Sequence, residues 1–231
     1  MVFDRYHAMT AAEFSGSANL PSHIGWLSCH FSSSGFGLSN LPPLLPPNSL
    51  LIIDDSVPMD NHQAEEILSQ LLDIEKKFEI SGILLDFQRN CDKKTKQLSC
   101  FLQKNLPCPV IAPPAYSSAG KPVFLPPAPL HQPLEAYLAP YRNREIWLDM
   151  ARLSEKITVT PNGSQYELSP TCPGALPPHY DSKLHCHYHI QVEDDTVTFL
   201  LERDQSSIDS WLQDAQRLGI RAVVGLYQEW K

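Results

Sequence analysis

The sequence predicts an α/β fold of the TIM-type (β/α)-barrel class, which we expect to be incomplete or distorted, with an antiparallel β insertion late in the chain. One supporting observation is a strand, a helix and a strand in succession over 49–88, because such a unit makes parallel strands with a right-handed crossover. Another is that this alternation continues toward the C-terminus. The third is that no glycine-rich phosphate loop follows the first predicted strand, which favours a barrel over an open doubly wound sheet. The length of 231 residues suits one barrel.

Apolar runs bounded by proline or glycine define the predicted strands of the first half. They cover 23–31, 49–55 and 82–88. Between the last two, residues 61–79 carry apolar side chains near helical spacing, with acids early and lysines late, as the helix dipole prefers. This segment is therefore predicted to be a helix.

The alternation continues in shorter segments through the rest of the chain. We predict helices at 93–105, 133–141 and 206–218, and strands at 109–113, 121–126, 145–151 and 221–227. The last helix begins with serine and aspartate and is followed by glycine, which are typical start and stop residues. The whole chain, 1–231, is accordingly interpreted as a single barrel domain.

One segment, 156–203, breaks this pattern and is predicted to be an antiparallel β-hairpin insertion within the barrel. Its first hairpin turns at an Asn-Gly pair, and its second turns at an Asp-Asp pair. We expect the insertion to form a lid over a cleft. As an alternative, residues 196–202 are themselves a barrel strand.

Composition and charge narrow the classes of function. The formal net charge is −8, and the lysines and arginines form no basic cluster, which argues against a nucleic-acid partner. Residues 1–20 contain no apolar run suited to a secretory signal or a membrane span, so we expect a cytoplasmic protein without a membrane partner. The six cysteines form no C-x-x-C pair and are expected to be reduced. We expect no cofactor.

Acidic side chains end several predicted strands, which is where a barrel places its site. Asp86 and Gln88 end the strand at 82–88 and would both point inward. The other candidate catalytic groups are Asp149, Glu202 and Glu229. The candidate substrate-binding groups are Asp54, Asp55, Trp147, Tyr227 and Tyr116. Carboxylates that converge in one cleft raise each other's pKa, which provides one acid and one base. For the two aspartates at 54 and 55, the Ser-Val-Pro that follows makes a cap-and-turn role the alternative.

Residues 81–88 resemble the D-G-I-D-I-D-W-E signature of chitinase-like (family 18) glycoside hydrolases. The positions that agree, counting one aromatic residue for another, are Gly82, Ile83, Asp86 and Phe87. The positions at which an acid of the signature is replaced are Ser81, Leu84 and Gln88. In that family the final glutamate protonates the glycosidic oxygen, and its aspartate neighbour orients the substrate's N-acetyl group as internal nucleophile. The resemblance implies a barrel that binds a small carbohydrate or amino-sugar fragment and is catalytically degenerate, because Gln88 is not an acid.

Two other functions stay open. An active glycoside hydrolase could use a relocated carboxylate, for which Glu202 is the best candidate, and it needs two carboxyl groups about 5 to 9.5 Å apart. A metal-dependent hydrolase could use three histidines that alternate along one predicted strand: His185, His187 and His189. Two further ligand types, Cys172 and His179, lie upstream of them. Neighbours on one face of a strand lie about 6.5 to 7 Å apart, which makes a shared ion a poor fit, and we assign no metal site.

Overall fold

The computed structural model describes residues 3–59, 63–168 and 179–230. The chain divides into two compact units, one made of Met1–Pro126, Tyr141–Met150 and Ile220–Lys231, and the other of Pro127–Pro140 and Ala151–Gly219. The described strands are, in chain order, β1 (Asp4–Met9), β2 (Ile24–Phe31), β3 (Leu38–Ser39), β4 (Leu50–Asp54), β5 (Gly82–Asp86), β6 (Val110–Ile111), β7 (Val123–Leu125), β8 (Ile146–Asp149), β9 (Ser154–Thr160), β10 (Gly163–Leu168), β11 (His179–Asp181), β12 (Cys186–Glu193), β13 (Thr196–Glu202) and β14 (Ala222–Leu226). The described α-helices are α1 (Ala11–Gly16), α2 (Ala64–Lys77), α3 (Lys93–Asn105), α4 (Leu134–Leu138) and α5 (Gln205–Arg217), and 3-10 turns cover Ala139–Tyr141 and Tyr227–Trp230.

The first unit is a nearly closed parallel barrel. Within the described ranges, its eight parallel strands follow one another around the barrel in the order β1, β2, β4, β5, β6, β7, β8 and β14, and β14 pairs with β1. Strands β6 and β7 meet through a bridge between Ala112 and Val123, where the backbone N–H of Phe124 donates to the carbonyl of Ala112 at 2.9 Å. The predicted TIM-type barrel is thereby confirmed, and β3 adds a short antiparallel strand beside β2.

Side chains alternate between the inside of the barrel and its outer layer. The inward cluster consists of Tyr6, Ala8, Leu50, Ile52, Leu84, Ile111, Phe124, Trp147, Ala222 and Val224. The intervening residues pack outward against α2 and α3, which present buried residues such as Ile67, Leu71, Leu98 and Leu102. Since side chains two apart share a face, the inward alternation continues to an aspartate at the end of three strands, β4, β5 and β8.

Two helices of the barrel begin with opposite charge. Helix α2 has Glu65 and Glu66 in its first turn and lysines in its last, in accord with the helix dipole. Helix α3 has no acid in its first turn and begins with lysines, and its cap is Asp92, whose carboxylate accepts from the backbone N–H of Thr95 at 2.9 Å and from its hydroxyl at 2.7 Å. The predicted helices at 61–79 and 93–105 are confirmed.

The second unit holds a five-stranded antiparallel sheet together with α4 and α5. The strand order is β10, β9, β13, β12 and β11, with hairpin turns after Thr160 and at Asp194. Asp194 adopts a φ of 48°, a left-handed conformation that aspartate tolerates in tight turns. The predicted β insertion is therefore confirmed. The alternative that 196–202 is a barrel strand is wrong, because β13 pairs antiparallel with β9 and β12.

The first barrel strand was not predicted. Strand β1 carries Asp4, Arg5 and His7, so that its sequence lacks an apolar run. Asp4 is only 7% exposed, and its charge is compensated by the guanidinium of Arg221, which lies 2.7 Å from its carboxylate. The partner that makes this charge tolerable is thus over 200 residues away in sequence.

None of the helices in the described ranges has the length and apolar character that a bilayer crossing requires.

Candidate functional site

The carboxyl ends of the barrel strands bring together a group of acids, which we call the acidic mouth and define as Asp54, Asp86, Asp149 and Glu229. Asp54 and Asp86 are paired in register on the adjacent strands β4 and β5. Asp149 ends β8, and its carboxyl group interacts electrostatically with those of Asp86 and Glu229. The structure therefore brings together four of the predicted site residues.

Glu229 reaches this end of the barrel through the 3-10 turn that follows β14. The turn folds back so that the indole of Trp230 lies against Gly225, where a side chain would collide with that indole and with the carbonyl of Met150. The same indole packs edge-on against the ring of His7, at 4.9 Å between centroids. A glycine at this position thus allows the turn to carry Glu229 back over the strands.

Two acids of the mouth, Asp86 and Asp149, have raised pKa values. Burial raises the pKa of Asp149 to about 7, and the negative charges of Asp86 and Glu229 add to the effect. Burial also raises the pKa of Asp86, to which Asp54 and Asp55 contribute, while the side-chain amide of Gln88 opposes the shift. A carboxyl group with this pKa gains and loses its proton near neutral pH, which is the property expected of a general acid.

Gln88 is exposed and turns its side chain back onto Asp86. Its amide nitrogen lies 3.2 Å from each oxygen of the Asp86 carboxylate. The backbone of the same loop is hydrogen-bonded to Asp55, a residue that is 6% exposed. Its carboxylate accepts from the N–H groups of Gln88 and Arg89, each at 3.0 Å. Both oxygens of Asp55 are therefore used in holding the loop after β5 and in placing Gln88.

The other positions of the 81–88 segment have structural partners. Ser81, where the family signature has an acid, immediately precedes β5. Its hydroxyl accepts from the hydroxyl of Tyr6 at 2.9 Å and donates to the carbonyl of Ser49 at 3.0 Å. Leu84 packs inside the barrel, beneath Asp86 on the same face. Asp54 accepts from the backbone N–H of Ser56 at 2.8 Å, so the cap-and-turn alternative accounts for one of its oxygens.

Two of the predicted substrate-binding aromatic residues are buried. Trp147 is 3% exposed inside the barrel, where it stacks on Tyr6 at 5.5 Å and donates to Glu145 at 2.8 Å. Tyr116 is 2% exposed; burial raises the pKa of its phenol to about 12, and its hydroxyl donates to the carbonyl of Arg89 at 3.0 Å. Neither ring leaves a free face for a ligand, which corrects both assignments. Tyr227 is half-buried, with its hydroxyl 3.4 Å from that of Ser17.

Glu202 and the histidine segment belong to the second unit. Glu202 ends β13, where it lies in register with His187 and Ser154. His185 precedes β12 with a φ of 50°, and its ring nitrogens lie 2.9 Å from the Ser210 hydroxyl and 2.9 Å from the Asp214 carboxylate. The expected row of three imidazoles on one strand therefore does not form.

The remaining proposed metal ligands are not gathered around one point either. The ring of His187 faces Asp204 at 3.5 Å, and His179 packs on Tyr188 at 5.3 Å between centroids. Cys172 lies outside the described residues. In the part of the chain that the structure describes, no three His, Cys, Asp or Glu side chains are grouped so that they could hold a metal ion.

A cavity of about 770 Å³ opens beside Gln88, between the loops that follow β4 and β5 and the first turn of α3. We call it the rim cavity. It is lined by Phe31, Asp55, Val57, Pro58, Met59, Gln88, Arg89, Asn90, Asp92, Lys94 and Thr95. Two of these residues, Asp55 and Gln88, were predicted as site residues. The other polar ones were not, although the lysine-rich start of α3 runs against the dipole preference and was a visible signal.

Comparison with known proteins identifies the fold. No protein-family model matches the chain, and no curated protein sequence matches it. Among solved structures, a glycoside hydrolase family 18 N-acetylglucosaminidase from Paenibacillus barengoltzii has a TM-score of 0.62 at 12% identity, over 97% of this chain and 94% of that chain. A class V chitinase from Nicotiana tobaccum has a TM-score of 0.59 at 10% identity, over 98% and 94%. A family 18 chitinase from Cycas revoluta, in complex with allosamidin, has a TM-score of 0.52 at 10% identity, over 97% and 95%.

At these identities the similarity concerns the fold. It extends over nearly the whole of this chain, whereas the resemblance seen in the sequence was confined to residues 81–88. The chain therefore has the barrel fold of the chitinase-like (family 18) glycoside hydrolases, with Gln88 at the position that carries glutamate in their signature.

Proposed function

We propose that this barrel binds a small carbohydrate or amino-sugar fragment at the acidic mouth and does not hydrolyse it. The observation that carries the proposal is the contact of the Gln88 amide with both oxygens of Asp86. The two side chains stand where the family signature has its proton donor and the aspartate beside it. An amide in that place hydrogen-bonds but has no acidic proton, so binding is kept while general acid catalysis is lost.

The chemistry of the mouth suits a sugar. Asp54 and Asp86 offer carboxylate oxygens that accept hydrogen bonds from hydroxyl groups, while the carboxyl group of Asp149 and the Gln88 amide each offer both a donor and an acceptor. They lie at the carboxyl ends of barrel strands, which is where barrels of this kind hold their ligands. The complex of the Cycas revoluta chitinase with allosamidin supports the choice of ligand class.

Equilibrium binding tests this proposal. Chitin oligomers and allosamidin are titrated into the wild-type chain and into Asp86→Asn by isothermal titration calorimetry. We expect binding to the wild type in the micromolar to millimolar range and about ten-fold weaker binding to the variant, because a charge-assisted hydrogen bond is lost. Asp73→Asn, at an exposed position in α2, is the matched control. Equal binding to the wild type and Asp86→Asn, or binding to neither, refutes the proposal.

A second candidate function is a working glycoside hydrolase with Asp149 as its acid. It is favoured by one observation, the pKa of about 7 that burial gives this carboxyl group. Cleavage of a fluorogenic chitin oligomer by the wild-type chain, abolished in Asp149→Asn and declining as the pH rises through about 7, would establish it. Absence of cleavage between pH 4 and 8 leaves the binding function.

A further inference from the structure

The rim cavity has the size and lining of a ligand site that adjoins the acidic mouth. Its volume of about 770 Å³ falls in the range of small-molecule sites, roughly 300 to 1,000 Å³. An apolar floor that includes Phe31, Val57 and Met59 is bordered by polar groups, as in many such sites. Gln88 belongs both to the wall of the cavity and to the contact with Asp86, so the two sites share a boundary.

The two carboxylates that line the cavity already accept hydrogen bonds from other groups of the protein. Both oxygens of Asp55 accept from the backbone N–H groups of Gln88 and Arg89. The carboxylate of Asp92 accepts from the backbone and the hydroxyl of Thr95, and these bonds lower its pKa. The oxygens of both carboxylates are therefore occupied by donors of the protein itself.

Two cations, Arg89 and Lys94, also line the cavity. Arg89 lines the cavity with its backbone fixed at two points, its N–H by Asp55 and its carbonyl by the Tyr116 hydroxyl. Its guanidinium is further held by the carbonyl of Ser56. Lys94 adds a second cation from the first turn of α3. Because Arg89 is anchored on both sides, its planar guanidinium is prepared for an oxyanion with little loss of freedom.

Further lysines in the first turn of α3 add to the positive charge near the cavity. Lys93, Lys94 and Lys96 stand at the positive end of a helix dipole, where cations are unfavourable. A bound anion would relieve this repulsion. The acidic mouth on the other side of Gln88 has the opposite character, since no cation is among the groups that shift the pKa of Asp86 or Asp149. Across Gln88 the surface thus changes from a group of acids to a cavity in which Arg89 and Lys94 stand beside two hydrogen-bonded carboxylates.

We infer that the rim cavity binds the oxyanion, a carboxylate or a phosphate, of a saccharide whose sugar ring lies at the acidic mouth. This inference rests on the proposed function for the sugar ring and specifies its ligand as an acidic sugar. The mouth repels the anionic group, and Arg89 and Lys94 attract it, so the two fields together set the orientation of the ligand.

Three probes test the inference on the full chain: neutral N-acetylglucosamine, N-acetylmuramic acid as the carboxylate and N-acetylglucosamine 6-phosphate as the phosphate. We expect at least one acidic sugar to bind about ten-fold more tightly than the neutral one, and the preference to fall with rising salt. The acidic sugar that binds more tightly distinguishes the two sources of the oxyanion. Equal affinity for all three sugars overturns the inference.

Two variants and a control locate the effect. Arg89→Gln and Lys94→Gln should each remove most of the ten-fold preference, whereas Lys104→Gln, an exposed lysine in the last turn of the same helix, should keep it. Since Arg89 also holds its loop, Arg89→Lys is included as a variant that keeps the charge and should keep part of the preference. An unchanged preference in Lys94→Gln and in Arg89→Gln contradicts the assignment to the rim cavity.

The same titrations separate this inference from the proposed function. If all three sugars bind alike and Asp86→Asn weakens them all, the acidic mouth binds sugar and the inference fails. If inorganic phosphate and the acidic sugars bind through Arg89 while Asp86→Asn changes nothing, the oxyanion site stands and the sugar site at the mouth fails. If none of the sugars and no phosphate bind, both fail.

Discussion

The side-chain amide nitrogen of Gln88 lies 3.2 Å from each carboxylate oxygen of Asp86. An amide donates to an ionised carboxylate without releasing a proton, so this contact opposes the rise in the Asp86 pKa that burial causes. A glutamate in the same place would instead share a proton with Asp86, as paired carboxyl groups do. In the proposed function, the difference between a binding site and a hydrolytic site lies in one functional group, the amide of Gln88.

Gln88→Glu is therefore expected to create activity. The new carboxyl group, beside Asp86, should have a raised pKa and serve as general acid, a contribution of about 10² to 10⁴ in rate for such groups. Release of product from a fluorogenic chitin oligomer measures the gain, with Gln88→Ala as the control that removes the amide without adding an acid. Equal rates for both variants would show that the mouth lacks the remaining catalytic geometry.

Asp149 should make folding depend on pH. Burial raises its pKa to about 7, whereas an aspartate in an unfolded chain titrates near 3.9. Between these values the folded state holds a proton that the unfolded chain has released, so this group lowers the free energy of unfolding as the pH rises from about 4 through 7. Urea unfolding of Asp149→Asn should lack this decline, on the order of 2 to 4 kcal/mol between pH 4.5 and pH 8. Identical pH dependence in the variant and the wild type would contradict the assignment.

Tyr116→Phe tests the support of the loop after β5. The variant keeps the buried ring against Phe87 and removes only the hydroxyl that donates to the Arg89 carbonyl. We expect a loss of about 0.5 to 1.5 kcal/mol in unfolding free energy and faster amide hydrogen exchange over residues 88–91. Tyr166→Phe, at a 61% exposed position, should change neither quantity. Unchanged exchange in the Tyr116 variant would mean that Asp55 alone holds the loop.

His185 is expected to stabilise the second unit. It is 5% exposed and bridges Ser210 and Asp214, which lie one turn apart on α5. His185→Ala should lower the free energy of unfolding of this unit by about 2 kcal/mol, because a buried hydrogen bond to a charged group is lost together with packing. Thermal unfolding followed by circular dichroism measures the effect, with the exposed His179→Ala as control. Equal melting temperatures would refute the bridge.

The apolar pattern was sufficient to predict most of the barrel, and its limits are instructive. The run 82–88 alternates so that Leu84 and Asp86 share a face, and the structure places both inside. Strand β1 escaped prediction because the stability of Asp4 depends on Arg221, a contact that no local pattern contains. Where a charged group finds its partner only after the barrel closes, the local sequence resembles a loop.

Four of the acids named from the sequence come together at the barrel mouth, whereas Glu202 lies in the second unit and two of the named aromatic residues are buried. Period-two alternation determines the direction in which Asp149 points, but the depth of Trp147, two residues earlier, depends on how far the strand extends past its neighbours. The rim cavity is formed by two loops and a helix start whose separation is set by tertiary packing. The sequence named two of its lining residues, Asp55 and Gln88, and the lysines at the start of α3 were a further signal that was not used.

The narrow junction between β6 and β7 has a consequence for durability. Neighbouring barrel strands share up to five paired positions, as β4 and β5 do, but this pair meets through a bridge between Ala112 and Val123. A closed barrel exposes no strand edge to other molecules, and this seam is where closure has the fewest hydrogen bonds to break. Thermal opening should therefore begin there and expose two strand edges with unpaired backbone N–H and C=O groups. Additional contacts between β6 and β7 would then protect the barrel against aggregation.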